Sequence, residues 1–159
     1  MVCTIVTTGE ELKLVCKNEY EPPYPQLKAK LREKIWALFC QGYDRFFVNC
    51  EYGVPLWAAE IICALKMYND IELYIAMPYE EQSVNWPEPF RDRYFSAHEA
   101  SDEVIAINNA YCDSCYDEAD EYMIEHSDTV LVCGDYNENL YSVRLAKESG
   151  INCNFFKLL

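Results

Sequence analysis

The sequence predicts an α/β domain with a mostly parallel central sheet covered by helices on both faces. Short β-branched or aromatic runs alternate with longer stretches of helical apolar spacing, which is the pattern of repeated strand-helix-strand units. The connections between them are short. At 159 residues and 51% apolar, the chain is long enough to bury one core. No repeat and no internal linker divides it, so one domain over 1–159 is expected.

The elements follow in order. Val2 to Thr8 reads as a strand, and Glu10 to Pro25, with Pro22, Pro23 and Pro25, as a turn-rich connection. Leu27, Leu31, Ile35, Leu38 and Phe39 then recur at helical spacing, with Gly42 as the stop. Phe46 to Cys50 is the second strand. Pro55 suits the first turn of a helix whose apolar face is Trp57, Ile61, Ile62, Leu65 and Met67. Leu73 to Met77 is the third strand, followed by a loop from Pro78 to Pro89 and a short helix through Tyr94. Val104 to Ile107, an acidic helix from Asp113 to Glu125, Thr129 to Cys133, a helix from Leu140 to Glu148 and Asn152 to Phe156 complete the chain. Such an order predicts a Rossmann-like three-layer sandwich, in which ligands bind beyond the carboxyl ends of the strands. Trp36 and Trp57 are expected in the core, His98 at the surface and His126 at a helix end.

Composition narrows the function classes. With 13 Lys+Arg against 27 Asp+Glu, the formal net charge is −14, which disfavours direct binding to a nucleic-acid backbone. No apolar run approaches the roughly 20 residues that a membrane span needs. No signal-peptide pattern is read at the amino end, so a cytoplasmic location is expected. Nine cysteines are an odd count, read as reduced thiols, with Cys3, Cys50, Cys63, Cys133 and Cys153 in apolar stretches. Cys112 and Cys115 form the one C-x-x-C and lack the second ligand pair of a zinc site. The flanking Asp113 and Asp117 disfavour thiolate. Neither G-x-S-x-G, a Walker loop nor H-E-x-x-H is present. No catalysis, metal or cofactor is expected.

Several strings resemble, in one order, the YpsA-like branch of the SLOG superfamily. They are Gly53-Val54-Pro55-Leu56-Trp57-Ala58-Ala59-Glu60, Pro78-Tyr79-Glu80-Glu81-Gln82 with Trp86, Ser101-Asp102-Glu103-Val104-Ile105 and Tyr122-Met123-Ile124-Glu125-His126-Ser127-Asp128. The resemblance covers nearly the whole chain. It implies a single Rossmann-like domain whose relatives are thought to bind nucleotides or nucleotide-derived ligands at the strand-end rim.

The departures fall on that rim. Where relatives carry T-G-H-R, this chain has Thr8-Gly9-Glu10-Glu11, and where they carry S-G-G it has Val48-Asn49-Cys50. An acid common two residues past Gly53 is Pro55. A K-R-N-R stretch is replaced by Glu118, Ala119, Asp120 and Glu121, and a G-G-T-A loop by Asn137-Glu138-Asn139-Leu140. The P-G-G-x-G-T-x-x-E motif of the related phosphoribohydrolase branch is absent. Fixed carboxylates at a helix amino end repel a phosphate more than the helix dipole attracts it.

Asp113, Asp117, Glu121 and Glu125 recur every four residues, which on a helix is a stripe with about 6 Å between neighbours. Glu118, Asp120 and Asp128 widen it, and Glu10, Glu11, Glu51, Asp135 and Glu138 adjoin it at the rim. Two functions follow. In the first, Glu10, Glu11, Asp113, Asp117, Glu118, Asp120, Glu121, Glu125 and Glu138 bind a basic, nucleic-acid-binding partner protein and mimic nucleic acid. Small phage-encoded inhibitors of host defence, including inhibitors of RNA-guided nucleases, offer the analogy. In the second, Thr8, Gly9, Glu51, Gly53, Glu81, Gln82 and Asp120 hold a nucleoside or nucleotide-derived signal, a neutral or cationic ligand suiting them better than a triphosphate. Glu60 reads either as a pocket acid or as support for the Gly53 loop. Tyr111, Tyr116, Tyr122 and Tyr136 flank the acids, and Trp86 either borders the pocket or closes its loop.

Overall fold

A computed structural model describes residues 1–8 and 19–157 of the chain. Six strands, β1 (Val2–Thr7), β2 (Arg45–Val48), β3 (Glu72–Met77), β4 (Glu103–Ala106), β5 (Thr129–Cys133) and β6 (Asn152–Phe156), form one sheet in the order β4-β3-β2-β1-β5-β6. Every neighbouring pair is parallel, and Cys3 to Thr7 of β1 lie opposite Thr129 to Cys133 of β5. The helices are α1 (Tyr24–Cys40), α2 (Val54–Lys66), α3 (Glu88–Ala100), α4 (Cys115–Glu125) and α5 (Tyr141–Glu148).

Connection handedness explains the layers. From β1 the chain steps outward through β2, β3 and β4, so right-handed crossovers put α1, α2 and α3 on one face. It then returns to the far side of β1, which puts α4 and α5 on the other. Alternation along each strand feeds both layers. Phe46 packs with Leu31, Ile35, Trp57 and Ile62 under α1 and α2, while Phe47 packs with Met123, Ile124, Val130 and Val143 under α4 and α5. The reversal of direction at β1 opens a crevice between β1 and β5 at their carboxyl ends.

The boundaries depart from expectation in a few places with clear causes. The helix predicted to end near Tyr94 runs to Ala100, carried by Tyr94 and Ala97, which are buried one turn apart. Trp57 is 1% exposed, as expected, but Trp36 is 42% exposed, because Leu27, Leu31, Ile35 and Leu38 already define the inward stripe of α1 and Trp36 falls beside it. His98 is half-buried rather than superficial: its ring lies 3.9 Å from that of Tyr94, and Nδ1 bonds to the Tyr94 carbonyl. His126 closes the carboxyl end of α4. Cys3, Cys50 and Cys133 are buried, whereas Cys63 and Cys153 are half-buried.

A buried charge cluster ties the first face together. Glu19 is 4% exposed and accepts from Trp57 Nε1–H at 2.8 Å, from Lys28 at 2.8 Å and from Arg93. Arg93 also donates Nε–H to Glu60 at 2.6 Å and a second N–H at 2.7 Å. Burial pushes the Glu19 pKa up, but bonds from Lys28, Arg93 and Trp57 outweigh it and hold the carboxyl below its usual range. Glu60 is therefore a bridge from α2 to α3.

Candidate functional site

Because all strands are parallel, the described loops that leave their carboxyl ends, and the helix amino ends, lie along one rim. Its centre is Glu51, which follows β2 by three residues. The Glu51 carboxylate accepts the Tyr52 backbone N–H at 3.0 Å, the Gln82 amide at 3.3 Å and the Tyr116 hydroxyl. Cys50 has a φ of 55° and Gly53 one of 115°, so the chain turns sharply on either side of Glu51 before entering α2. A side-chain carboxylate thus occupies the approach to the amino end of α2, where a bound phosphate would find backbone donors.

The loop after β3 and the start of α4 close on this carboxylate. Gln82 is buried, gives its amide also to the Asn49 carbonyl at 3.1 Å and accepts the Tyr94 hydroxyl at 3.2 Å. Tyr79 meets both Tyr111 and Tyr116 edge to face, at 5.4 and 6.3 Å between ring centres. Burial, then the charge and hydrogen bond of Glu51, push the Tyr116 pKa up, so its hydroxyl stays protonated and donating. Asn108 links the Pro78 carbonyl, at 3.3 Å, to Glu118, at 2.9 Å. Trp86 meets the Tyr52 ring at a tilt and the Tyr94 ring edge to face, closing its loop.

At the crevice between β1 and β5, Thr8 donates its backbone N–H to Cys133 at 3.0 Å. Gly134 has a φ of 133°, and a Cβ there would lie 1.9 Å from Thr8 Oγ1. Only glycine lets Thr8 fill this position.

The two predicted residue sets fare differently. Of the ligand set, Thr8, Glu51, Gly53 and Gln82 lie along the rim, Glu81 is exposed in the loop beside Gln82, and Gly9 lies outside the described residues. Of the acidic set, Asp113, Asp117, Glu125 and Glu138 are exposed, while Glu10 and Glu11 lie outside the described residues. The predicted continuous stripe is broken. Asp113 precedes α4 instead of lying on it. Glu118 turns back to accept the Ser114 hydroxyl at 2.6 Å and the Asn108 amide, which hold its pKa below the usual range. Asp120 faces α5 and accepts the Ser142 hydroxyl, because this side of α4 is the buried one carrying Ala119, Met123 and Ile124. Glu121 is half-buried beside Tyr141, Asp128 accepts the Val2 backbone N–H at 2.7 Å, and Glu51 points into the network already described. Asp120 therefore leaves the acidic surface, yet it remains one helical turn from Tyr116, within the ligand set. Tyr79, Asn108 and Ser142 were missed as site residues, whereas Tyr116, read as flanking the acids, holds Glu51. Tyr79 carried a signal, its place in the Pro78-Tyr79-Glu80-Glu81-Gln82 string, whereas Asn108 and Ser142 carried none.

The six-stranded parallel sheet with helices on both faces is a Rossmann-like α/β sandwich, and the Glu51 carboxylate stands at its strand-end rim. The sequence model of the YpsA family, described as the YspA SLOG family, matches residues 5–149, and the chain belongs to that family. UPF0398 proteins of Staphylococcus aureus strains JH9, JH1 and Mu3 are each 26% identical to it over 139 residues, covering 85% of this chain and 74% of theirs. Among the described residues, no helix is long and apolar enough to cross a membrane.

Burial pushes the Asp120 pKa up to about 7, only partly offset by the Ser142 hydroxyl, with Asp117 adding to the rise. The unfolded carboxyl ionises near pH 4, so between about pH 4 and 7 the folded state holds a proton that the unfolded state has lost, and stability falls as pH rises. Asp120→Asn, which keeps an acceptor for Ser142, removes this penalty. Its urea midpoint is expected to match the parent near pH 4 and to exceed it increasingly toward pH 8; a difference independent of pH would refute the assignment.

Proposed function

We propose that this chain binds, without turning over, a neutral or cationic nucleoside-like ligand along the strand-end rim. The observation that carries the reading is the Glu51 carboxylate held by Tyr52, Gln82 and Tyr116 at the approach to α2. A phosphate oxygen about 4 Å from it would meet roughly 4 kcal/mol of repulsion at an effective dielectric of 20. Hydroxyl or amino donors of a nucleoside meet acceptors instead. Tyr79, Tyr111 and Tyr116 offer ring faces and edges for a base. Thr8 and Gly134 meet at the β1–β5 end of the rim, the φ of 115° at Gly53 turns the chain into α2, and Glu81, exposed beside Gln82, supplies a further acceptor. Burial raises the pKa values of Cys50 and Cys133, which favours protonated thiols over nucleophiles and agrees with binding alone. Membership of the SLOG family supports a nucleotide-derived ligand class.

Thermal unfolding with the common nucleosides and their 5′-monophosphates, with and without Mg²⁺, tests the proposal, because a ligand specific to the folded state raises the melting temperature. At least one nucleoside is expected to raise it more than the matching monophosphate does. No shift with any compound, or larger shifts with the phosphates, would reject the proposal.

A second reading rests on the exposure of Asp113, Asp117, Glu125 and Glu138 near the exposed rings of Tyr111 and Tyr136. On this reading the chain is a non-catalytic inhibitor or regulator that covers a basic nucleic-acid-binding surface of another protein, as a phage counter-defence protein would. Capture of such a protein at low salt, lost in an Asp113→Lys/Asp117→Lys variant of unchanged melting temperature, supports it. Capture that survives the reversal would exclude this surface.

A further inference from the structure

Cys112-Asp113-Ser114-Cys115, the one C-x-x-C of the sequence, forms the turn that leads into α4. The Cys115 backbone N–H donates to the Cys112 carbonyl at 3.2 Å, three residues back. A turn closed in this way brings its end Cα atoms within about 7 Å, and a disulfide spans about 4.4 to 6.8 Å between Cα atoms, so the backbone already holds the two residues at bridging distance. The side chains agree with it: the Cys115 thiol feels the Cys112 thiol through both charge and a hydrogen bond. Both thiols are free.

The two differ in what can reach them. Cys112 is half-buried, and its thiol lies 3.7 Å from Ser114 Oγ, whose own hydrogen is given to Glu118. Cys115 is fully buried, at 0% exposure, on the side of α4 that carries Ala119 and Met123. A small reagent therefore meets Cys112 first, while Cys115 is open to Cys112. That division separates an attacking thiol from a resolving one. Burial raises the Cys115 pKa, and the flanking Asp113 and Asp117 likewise disfavour thiolate. Stabilised thiolates are what make a dithiol pair strongly oxidising once linked; without them the linked form, once made, is held.

We propose that Cys112 and Cys115 are a redox-active pair that exchanges with low-molecular-weight disulfides and closes into an intramolecular disulfide at the start of α4. The Cys112 thiolate attacks one sulfur of R–S–S–R, that S–S bond breaks, and one R–S⁻ leaves and takes up the proton that Cys112 released. The Cys115 sulfur, giving up its proton, then attacks the Cys112 sulfur and expels the second R–S⁻, which takes that proton. Two protein thiols are oxidised to one disulfide, and one small disulfide is reduced to two thiols. Reduction runs the same steps backwards from Cys112, the accessible sulfur. The turn adjoins the rim, because Tyr111 before it meets Tyr79 and Tyr116 after it donates to Glu51. The exchange needs nothing bound there, so the proposal is independent of the ligand reading.

The purified full chain, reduced and freed of reductant, is incubated in its folded state with oxidised glutathione; free thiols are then alkylated and the peptides mapped by mass spectrometry. The parent is expected to lose the thiols of Cys112 and Cys115, to carry a bond between them with no glutathione on either, and to recover both thiols with dithiothreitol. Cys115→Ala should instead stall with glutathione on Cys112, because the resolving thiol is gone. Cys112→Ser should slow the reaction of Cys115 by at least about tenfold, since burial leaves it no other approach. This second substitution falls at the half-buried position and leaves the packed side of α4 intact. Both thiols left free in the parent, a lasting glutathione adduct on its Cys112, a bond from either residue to another cysteine, or an undiminished reaction of Cys115 in Cys112→Ser would each overturn the proposal.

Discussion

The Glu51 carboxylate is held by a backbone N–H, a buried amide and the hydroxyl of half-buried Tyr116, and the arrangement of the rim depends on it. Tyr52, Gln82 and Tyr116 come from the amino end of α2, the loop after β3 and the first turn of α4. One side chain therefore fixes three segments that leave the sheet from different strands. Such a bond to an ionised acceptor is about twice as strong as a neutral one. Because its partners belong to the fold itself, the carboxylate is held in place by the protein alone.

Deeper on the α1, α2 and α3 face, a second carboxylate is held by cations instead. There Glu19 is buried but surrounded by Lys28, Arg93 and the Trp57 indole, and Arg93 in turn spans to Glu60. Removing Glu19, the buried member, would strip Lys28, Arg93 and the Trp57 indole of their shared acceptor and cost about 3 kcal/mol or more, and the Arg93 link to Glu60 fastens α3 to α2. The acids of this chain accordingly serve distinct purposes. Glu19 and Glu60 bind helices together, Glu118 closes the first turn of α4, Asp120 sits between α4 and α5, and Asp113, Asp117 and Glu125 remain for solvent or a partner. A net charge read from composition cannot separate these uses.

The fold was legible because its signals are local. β5 and β6 fall on the predicted residues, and α1, α2 and α5 begin and end within a few residues of the proline, glycine and apolar-period signals. The rim segments were legible too, since a parallel sheet puts every strand exit on one edge. What escaped was side-chain direction. The four-residue period of Asp113, Asp117, Glu121 and Glu125 holds only where the chain is helical, and α4 starts at Cys115. Asp120 turns inward because Ala119 and Met123 place its side of the helix against α5. Trp36 lies outward although its neighbour Ile35 is fully buried, a difference of one residue that apolar character alone does not resolve. Asn108 and Ser142 join the site through contacts between segments 10 and 22 residues apart, which no local pattern carries.

In the proposed function, a fixed carboxylate in place of a cationic or glycine-rich cradle sets what the rim accepts. The most direct measurement is a calorimetric titration of the parent and of Glu51→Gln with one nucleoside and its 5′-monophosphate, since glutamine keeps the shape and an acceptor for Tyr116 but removes the charge. The account predicts that the parent favours the nucleoside and that the substitution improves monophosphate affinity by about tenfold relative to the nucleoside, a fraction of the full Coulomb penalty. An unchanged ratio of the two affinities would contradict it.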